Sequence, residues 1–280
     1  LSAELRYGVQ YATQKNRDYT NKFYGGGQAT SGDITINDFS SITQNILQII
    51  RYNNSWGDHS FDALVAHESN DFEQNFQSAS KGLQVSPFLL DLDNFQASLG
   101  LPSGSTSGFT IESYFSQFNY NFDQKYFFSA SIRTDGSSRF VNEKWGTFGS
   151  VGASWVVSNE DFLQDSIFSF LKVKTSYGVT GDQSGVGFFS GYNTYNAGNL
   201  GGSISLAPGA NGNPDLTWET SRQLQVGAEM SFGKYLDVNL DYYSKLTDNL
   251  IFNRFVGPSQ GISSITVNDG ELINAGLEFD

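Results

Sequence analysis

The stretch Gln223-Leu224-Gln225-Val226-Gly227-Ala228-Glu229-Met230-Ser231-Phe232, then Gly233-Lys234, then Tyr235-Leu236-Asp237-Val238-Asn239-Leu240-Asp241-Tyr242-Tyr243, decides the fold. Leu224, Val226, Ala228, Met230 and Phe232 fall on one parity; Gln223, Gln225, Gly227, Glu229 and Ser231 fall on the other. The return arm repeats this, with Leu236, Val238, Leu240 and Tyr242 set against Asp237, Asn239 and Asp241. A period of two describes a strand with one apolar and one polar face. Arms of about nine residues suit a tilted crossing of a bilayer. Carboxylates on the polar face need water, which the lumen of a wide barrel supplies. The expectation is an all-β, antiparallel transmembrane β-barrel. Leu224, Val226, Met230, Phe232, Leu236, Val238, Leu240 and Tyr242 would face lipid, and an arginine at Val238 would be costly.

Working outward, the same alternation recurs. Leu171, Val173, Thr175, Tyr177 and Val179 alternate with Lys172, Lys174, Ser176, Gly178 and Thr180. Gly149, Val151, Ala153, Trp155 and Val157 share a face, as do Ile273, Ala275, Leu277 and Phe279. Strands are predicted at 1–12, 40–54, 60–70, 110–122, 126–134, 145–158, 169–180, 219–232, 235–246 and 272–280. The 40–54 segment is mixed, because Ile46-Leu47 and Ile49-Ile50 place apolar groups on both faces.

The connections after the second, fourth, sixth and eighth strands read as short: Ser55–His59, Asp123–Lys125, Asn159–Phe168 and Gly233-Lys234. The others read as longer, with extremes at 71–109 and 181–218. Successive strands crossing one slab put alternate connections on opposite sides, with short turns periplasmic and long loops extracellular. A Greek-key sandwich has no reason to sort loops this way. Aromatic residues flank every short turn: Trp56 and Phe61, Phe122 and Tyr126, Phe168 and Phe170, Phe232 and Tyr235. That is the pattern of an interfacial girdle.

Composition sets outer bounds. The 280 residues carry a net charge of -13, which argues against a nucleic-acid partner. No cysteine is present, so neither a disulfide nor a thiolate metal site can form. No apolar run reaches the length of a membrane helix, and a mean hydropathy of -0.33 fits strands diluted by lumen residues. Leu1–Arg6 lacks the pattern of a signal peptide, and both ends read as cut from a longer protein.

No catalytic constellation emerges. His59 and His67 are the only histidines and are read as surface or pore-facing groups; with no Cys they make no convincing zinc site. Asp237 and Asp241 lie too far apart along a strand for paired-carboxylate chemistry. The chain is read as a non-enzyme without cofactor or metal. Asp135-Gly136-Ser137-Ser138 reads as a turn, with Gly136 allowing positive φ and Arg133 and Arg139 free to pair with Asp135. In the loop 182–216, Phe188, Phe189, Tyr192, Asn193 and Tyr195 form a candidate cargo-contact set, since aromatic rings beside polar groups can stack on sugars.

Several segments resemble the SusC/RagA family of TonB-linked outer-membrane transporters of Bacteroidota. They are 120–140, ending in Asp135-Gly136-Ser137-Ser138-Arg139-Phe140; Trp145-Gly146 and Ala153-Ser154-Trp155; Ser158-Asn159-Glu160-Asp161-Phe162; 171–183; Asn213-Pro214-Asp215-Leu216-Thr217-Trp218-Glu219-Thr220; and Gly270-Glu271-Leu272-Ile273-Asn274-Ala275-Gly276-Leu277-Glu278. The resemblance covers 112–280 in the family's order, while 1–111 matches in style only. It implies that 1–280 is part of a barrel of about 22 strands, with plug, TonB box and final strands outside it. It also implies active import of nutrient oligomers, oligosaccharides first and peptides second. The implied partners are a SusD-like surface lipoprotein, the TonB–ExbB–ExbD complex and the lipid bilayer; the implied location is the outer membrane of a Gram-negative bacterium. Two readings stand beside it: a passive porin or secretion barrel, and a soluble β-rich glycan-binding module. The last requires the Leu236/Val238/Leu240 face to be buried in protein.

Overall fold

The computed structural model describes residues 1–163, 166–257 and 263–280. It contains β1 (Ser2–Thr20), β2 (Asp33–Trp56), β3 (His59–Gln84), β4 (Phe95–Ser98), β5 (Ser103–Phe122), β6 (Tyr126–Ser137), β7 (Trp145–Val156) and β8 (Phe170–Asp182). These are followed by β9 (Tyr195–Leu200), β10 (Ser203–Pro208), β11 (Glu219–Phe232), β12 (Leu236–Asp248), β13 (Ile251–Phe255), β14 (Ser264–Asn268) and β15 (Glu271–Phe279). One sheet runs in the order β1-β2-β3-β5-β6-β7-β8-β11-β12-β15, with β4 added to β3. The hairpins β9–β10 and β13–β14 stand apart from it. Sequence neighbours pair along this path, so the connectivity is up-and-down rather than Greek key.

The ten strands of this path correspond one for one to the ten predicted. Those from β6 onward agree within a few residues, whereas β1, β2, β3 and β5 run far past their expected ends. Two compact units divide the chain, one of Leu1–Arg6, Ile46–Ser69 and Ile111–Asp280, the other of Tyr7–Asn45 and Asn70–Thr110. The second unit has its own small core of Ile34 and Phe95, with Tyr19 Oη donating to Gln84 Oε1 at 2.9 Å.

Loop lengths follow the expected parity with one exception. Gly57-Asp58, 123–125 and 233–235 are tight, and 183–218 and 249–270 are long. The connection 157–169 is longer than 138–144, because β6 continues to Ser137 and two short 3-10 turns occupy Val157–Asn159 and Asp161–Leu163.

The register fixes two faces in the first unit. Phe122, Tyr126, Trp155, Val173, Ala228, Leu240 and Phe279 form one row across seven strands. The adjacent row of the other parity is Asn121, Phe127, Ser154, Lys174, Gly227, Asp241 and Glu278. On the apolar face Leu224, Val226, Leu236, Leu240 and Tyr242 are between 39% and 54% exposed, so no protein core covers them in this chain. Met230, Phe232 and Val238 share that face and are half-buried. Val238 lies only two residues from the start of β12, so Leu240 and Tyr242 are the mid-strand positions. The mixed character of β2 is real: Ile49 is buried while its neighbour Ile50 is exposed.

Candidate transport surfaces

Three assemblies of side chains are built on this sheet. The first is a belt of rings beside the tight turns. Trp56 stacks on His59 (5.6 Å between centroids), His59 meets Phe122 (4.7 Å), Phe122 meets Tyr126 (6.2 Å) and Tyr126 stacks on Trp155 (6.0 Å). Phe168 and Phe232 meet at 5.1 Å further along. His59 is thus a member of the belt, with Nδ1 2.7 Å from Tyr120 Oη. Glu160 clasps the belt from the 157–169 turn, accepting from Tyr126 Oη at 2.6 Å and Trp155 Nε1 at 3.1 Å, with Lys125 Nζ at 3.8 Å. Those hydrogen bonds, and then the Lys125 charge, hold its carboxyl below the usual carboxylate range. Lys125 is raised in turn, chiefly by its hydrogen bond to Asp123.

A second ring cluster lies at the other end of the same strands. His67 stacks on Tyr114 (4.9 Å) and contacts Glu112, and Tyr114 meets Trp145 (6.3 Å). The Trp145 ring lies over Gly136, where an added Cβ would come within 2.8 Å of it. Gly136 therefore serves close approach in a strand, paired with both Glu112 and Trp145; it is not the positive-φ turn position read from sequence. Trp145 and Trp155 bound β7, ten residues apart. At about 3.3 Å per residue they are separated by roughly 33 Å along the strand, which at the ~40° tilt usual for outer-membrane barrels would span about 25 Å of membrane height, that of the apolar band.

The second assembly is ionic and sits on the polar face. Lys174 Nζ lies 3.1 Å from Glu229 and 3.2 Å from Asp241, and Lys172 lies 3.7 Å from Glu229. Gly227 sits between them, and a Cβ there would run into the Asp241 carboxylate and the Lys174 stem. Nearer the other end, Arg133 bridges Asp135 (2.6 Å), Glu68 (3.1 Å) and Ser113 Oγ (2.9 Å), and its guanidinium lies over the Phe115 ring.

The third assembly is a loop core that gathers the sequence motifs. Phe140, Val186, Leu216 and Trp218 are buried together, with Phe148 and Ile251 packed on them. Trp218 is 7% exposed and its Nε1 donates to the Lys144 carbonyl, so it is a core residue. Gly146 and Gly181 leave room for the Phe148 ring, and a Cβ at Gly181 would fall inside that ring. Asn142 Nδ2 donates to Asp215, and Asn268 ties Thr217 to Asn249. Arg133 pairs with Asp135 as expected, but Arg139 does not. Arg139 Nη1 donates to the carbonyls of Gln183 (3.3 Å) and Val186 (2.9 Å), and its guanidinium lies over Phe188. Burial lowers its pKa from the ordinary arginine value. Ser137 Oγ accepts from the Arg139 amide, and Ser138 opens the 138–144 loop.

The candidate cargo loop divides in two. Phe188 lies beneath Arg139 and packs there, while Asn193 is exposed and its Oδ1 accepts from the Gly212 amide within the loop. Phe189, Tyr192 and Tyr195 are exposed. Asp237 and Asp241 are not brought together as a pair; Asp241 belongs to the lysine cluster.

The model of the TonB dependent receptor-like β-barrel family matches residues 1–280. The chain belongs to that family. It is 37% identical over 172 residues to a TonB-dependent receptor of Formosa agariphila, an alignment covering 60% of this chain and 16% of the relative. It is 28% identical over 292 residues to the TonB-dependent receptor SusC of Bacteroides thetaiotaomicron, covering all of this chain and 28% of SusC. The structure of the RagAB peptide importer in its closed-closed state superposes with a TM-score of 0.90 at 26% identity, over 99% of this chain and 31% of that one. The chain therefore spans under a third of the length of these relatives. Like the rest of the TonB-dependent receptors it is an outer-membrane β-barrel protein, and its relatives are receptors and transporters rather than enzymes.

Proposed function

We propose that this chain forms part of the wall of a SusC-like, TonB-dependent importer of nutrient oligomers. The observation that carries the reading is the two-faced sheet. An exposed apolar face runs between two ring clusters, backed by a paired, water-requiring ionic face. On this reading Leu224, Val226, Met230, Phe232, Leu236, Val238, Leu240 and Tyr242 face lipid, and Lys174, Glu229 and Asp241 face the lumen. The loop core holds the extracellular end rigid and presents Phe189, Tyr192 and Tyr195 outward toward cargo. The rest of such a protein would supply the plug and the TonB box that couples it to TonB–ExbB–ExbD. A SusD-like surface lipoprotein would close over the outer loops.

Oligosaccharides are the favoured cargo, since exposed rings beside polar loop groups suit sugar stacking. A peptide cargo is the second reading, favoured by the 0.90 superposition on the RagAB peptide importer. The test is uptake by the full-length protein in its host, with and without a functional TonB. TonB-dependent import of labelled oligosaccharides is the expected result. TonB-independent leakage would point to a passive pore, and import confined to peptides would transfer the reading to the second cargo.

A further inference from the structure

The apolar face of the sheet is uneven. A trough of about 700 Å³ is cut into it across β6, β7, β8, β11 and β12. The register shows why. Ala153 and Thr175 stand side by side and Ala228 lies one row nearer the turns, so short side chains run obliquely across β7, β8 and β11. Longer ones border them, with Trp155 and Val173 toward the turns and Val226 and Tyr242 away from them. The row of Tyr126 also deepens as it crosses the sheet. Tyr126 is the first residue of β6 and Trp155 the last but one of β7, whereas Ala228 and Leu240 lie four residues in from the turn ends of β11 and β12. The trough therefore opens at the turn-side interface and leads toward mid-bilayer depth. Its four interstrand gaps of ~4.8 Å give it a length of roughly 19 Å. One leaflet of a ~30 Å hydrocarbon core is about 15 Å deep.

The open end of the trough carries charge. The Tyr126 and Trp155 rings line it, while Tyr126 Oη and Trp155 Nε1 both donate to Glu160 Oε1. The other oxygen, Oε2, lies 3.8 Å from Lys125 Nζ, which is also 3.1 Å from Asp123. Asp161 stands near enough to act on the Lys125 charge. Among the described residues, this turn thus sets three carboxylates against one ammonium. In a closed barrel this face looks away from the lumen, and further strands would pair only at the edges of the sheet.

We infer that the trough holds one acyl chain of a phosphatidylethanolamine molecule from the periplasmic leaflet, its headgroup seated on Lys125, Asp123 and Glu160. The inference rests on the lipid-facing reading of this face above. Lys125 suits the phosphate as a point charge, and the two carboxylates suit a primary ammonium with three N–H donors. Phosphatidylglycerol would bring a phosphate without an ammonium to a net negative turn, and phosphatidylcholine an ammonium with no N–H to donate.

The experiment gives delipidated, full-length transporter an equimolar mixture of phosphatidylethanolamine, phosphatidylglycerol and phosphatidylcholine in detergent. Retained lipid is identified by native mass spectrometry. Phosphatidylethanolamine should be retained about threefold over either competitor. Ala228→Phe, which fills the trough, should abolish the excess, and Asp123→Asn with Glu160→Gln should make the three lipids equal. Leu224→Phe, on the same face outside the trough, should change nothing. All variants must keep the heat-modifiable gel mobility of a folded barrel. In parallel, a bimane at Val151→Cys, one row above Ala153 and outside the trough, is challenged with doxyl-labelled lipids in nanodiscs. Quenching at 151 with no lipid selectivity, or with selectivity that survives Ala228→Phe, overturns the site and leaves the lipid-facing reading intact. A preference for phosphatidylglycerol or phosphatidylcholine overturns the headgroup match and with it the proposal. No quenching at 151 by any lipid means that protein covers this face, and overturns the lipid-facing reading itself.

Discussion

Replacing Lys174 by alanine removes a cation that touches two carboxylates on the polar face. Its ammonium lies 3.1 Å from Glu229 and 3.2 Å from Asp241. At such distances one charge pair is worth ~1.3 kcal/mol at the dielectric constant of water and ~5 kcal/mol at an effective value of 20. Lys174 and Glu229 are about a third exposed, which screens that pair toward the lower figure, while Asp241 at 14% exposure is screened less. Holding the side chains in place offsets part of the gain, leaving about 0.5–1 kcal/mol per contact. Losing both contacts has a further consequence, because Asp241 stands directly opposite Glu278 in the β12–β15 ladder. Like charges facing across a ladder destabilise it by up to about 1 kcal/mol once the neighbouring cation is gone. The total expected for Lys174→Ala is about 1–3 kcal/mol. The assay is reversible denaturant unfolding of the full-length protein refolded into lipid vesicles, run as a double-mutant cycle with Asp241→Asn. The loss of the lysine should cost clearly less in the Asp241→Asn background, with a coupling of about 0.5–1.5 kcal/mol. A coupling below about 0.3 kcal/mol, or a Lys174→Ala protein as stable as the wild type, would refute the reasoning.

Other expectations test the remaining assemblies. Glu160 is held below its ordinary pKa of 4.5, so its clasp stabilises the fold above that pH and is lost as pH falls through the depressed folded value. The stability gap between wild type and Glu160→Gln should therefore be widest near neutrality and close on acidification below pH 4.5, read from unfolding midpoints across a pH series. Gly181→Ala must displace the Phe148 ring from the loop core. It should open the 183–218 loop to limited proteolysis while the barrel keeps its heat-modifiable mobility. Arg139→Met should cost the loop core about 1.5–3 kcal/mol through two lost charged hydrogen bonds, seen as faster amide exchange at Gln183 to Val186. Leu240→Arg should cost about 2–4 kcal/mol in the vesicle unfolding assay, and Val238→Arg less, since Val238 lies nearer the start of its strand.

The wall was legible because a half-lipid, half-aqueous strand writes its two environments into alternate residues. From β6 onward, strand ends agreed within a few residues, and Gly233-Lys234 marked the tight hairpin without ambiguity. The overlong β1, β2, β3 and β5 were not legible past their alternating portions. In 70–84 and 103–110 polar residues occupy both parities, so hydrogen bonding continues where the hydropathy signal ends. Gly136 misled because glycine serves positive φ and close approach equally well, and only the position of Trp145 decides between them. Arg139 misled for a similar reason: Asp135 is near in sequence, but its partners Gln183 and Val186 are more than forty residues away. The loop core could have been suspected from Phe140, Leu216 and Trp218, three large apolar residues in segments otherwise rich in turn formers.

The central claim is that adjacent residues of this sheet look into different solvents. The most direct measurement places single cysteines at Val226, Leu240, Gln225 and Asp241 in a full-length protein free of other cysteines. Each is labelled with an environment-sensitive fluorophore and challenged with doxyl-labelled lipid and with aqueous iodide. The account expects 226 and 240 to be quenched by the lipid and shielded from iodide, and 225 and 241 to show the reverse. Iodide quenching at 226 and 240, with no effect of doxyl lipid at any site, would contradict it.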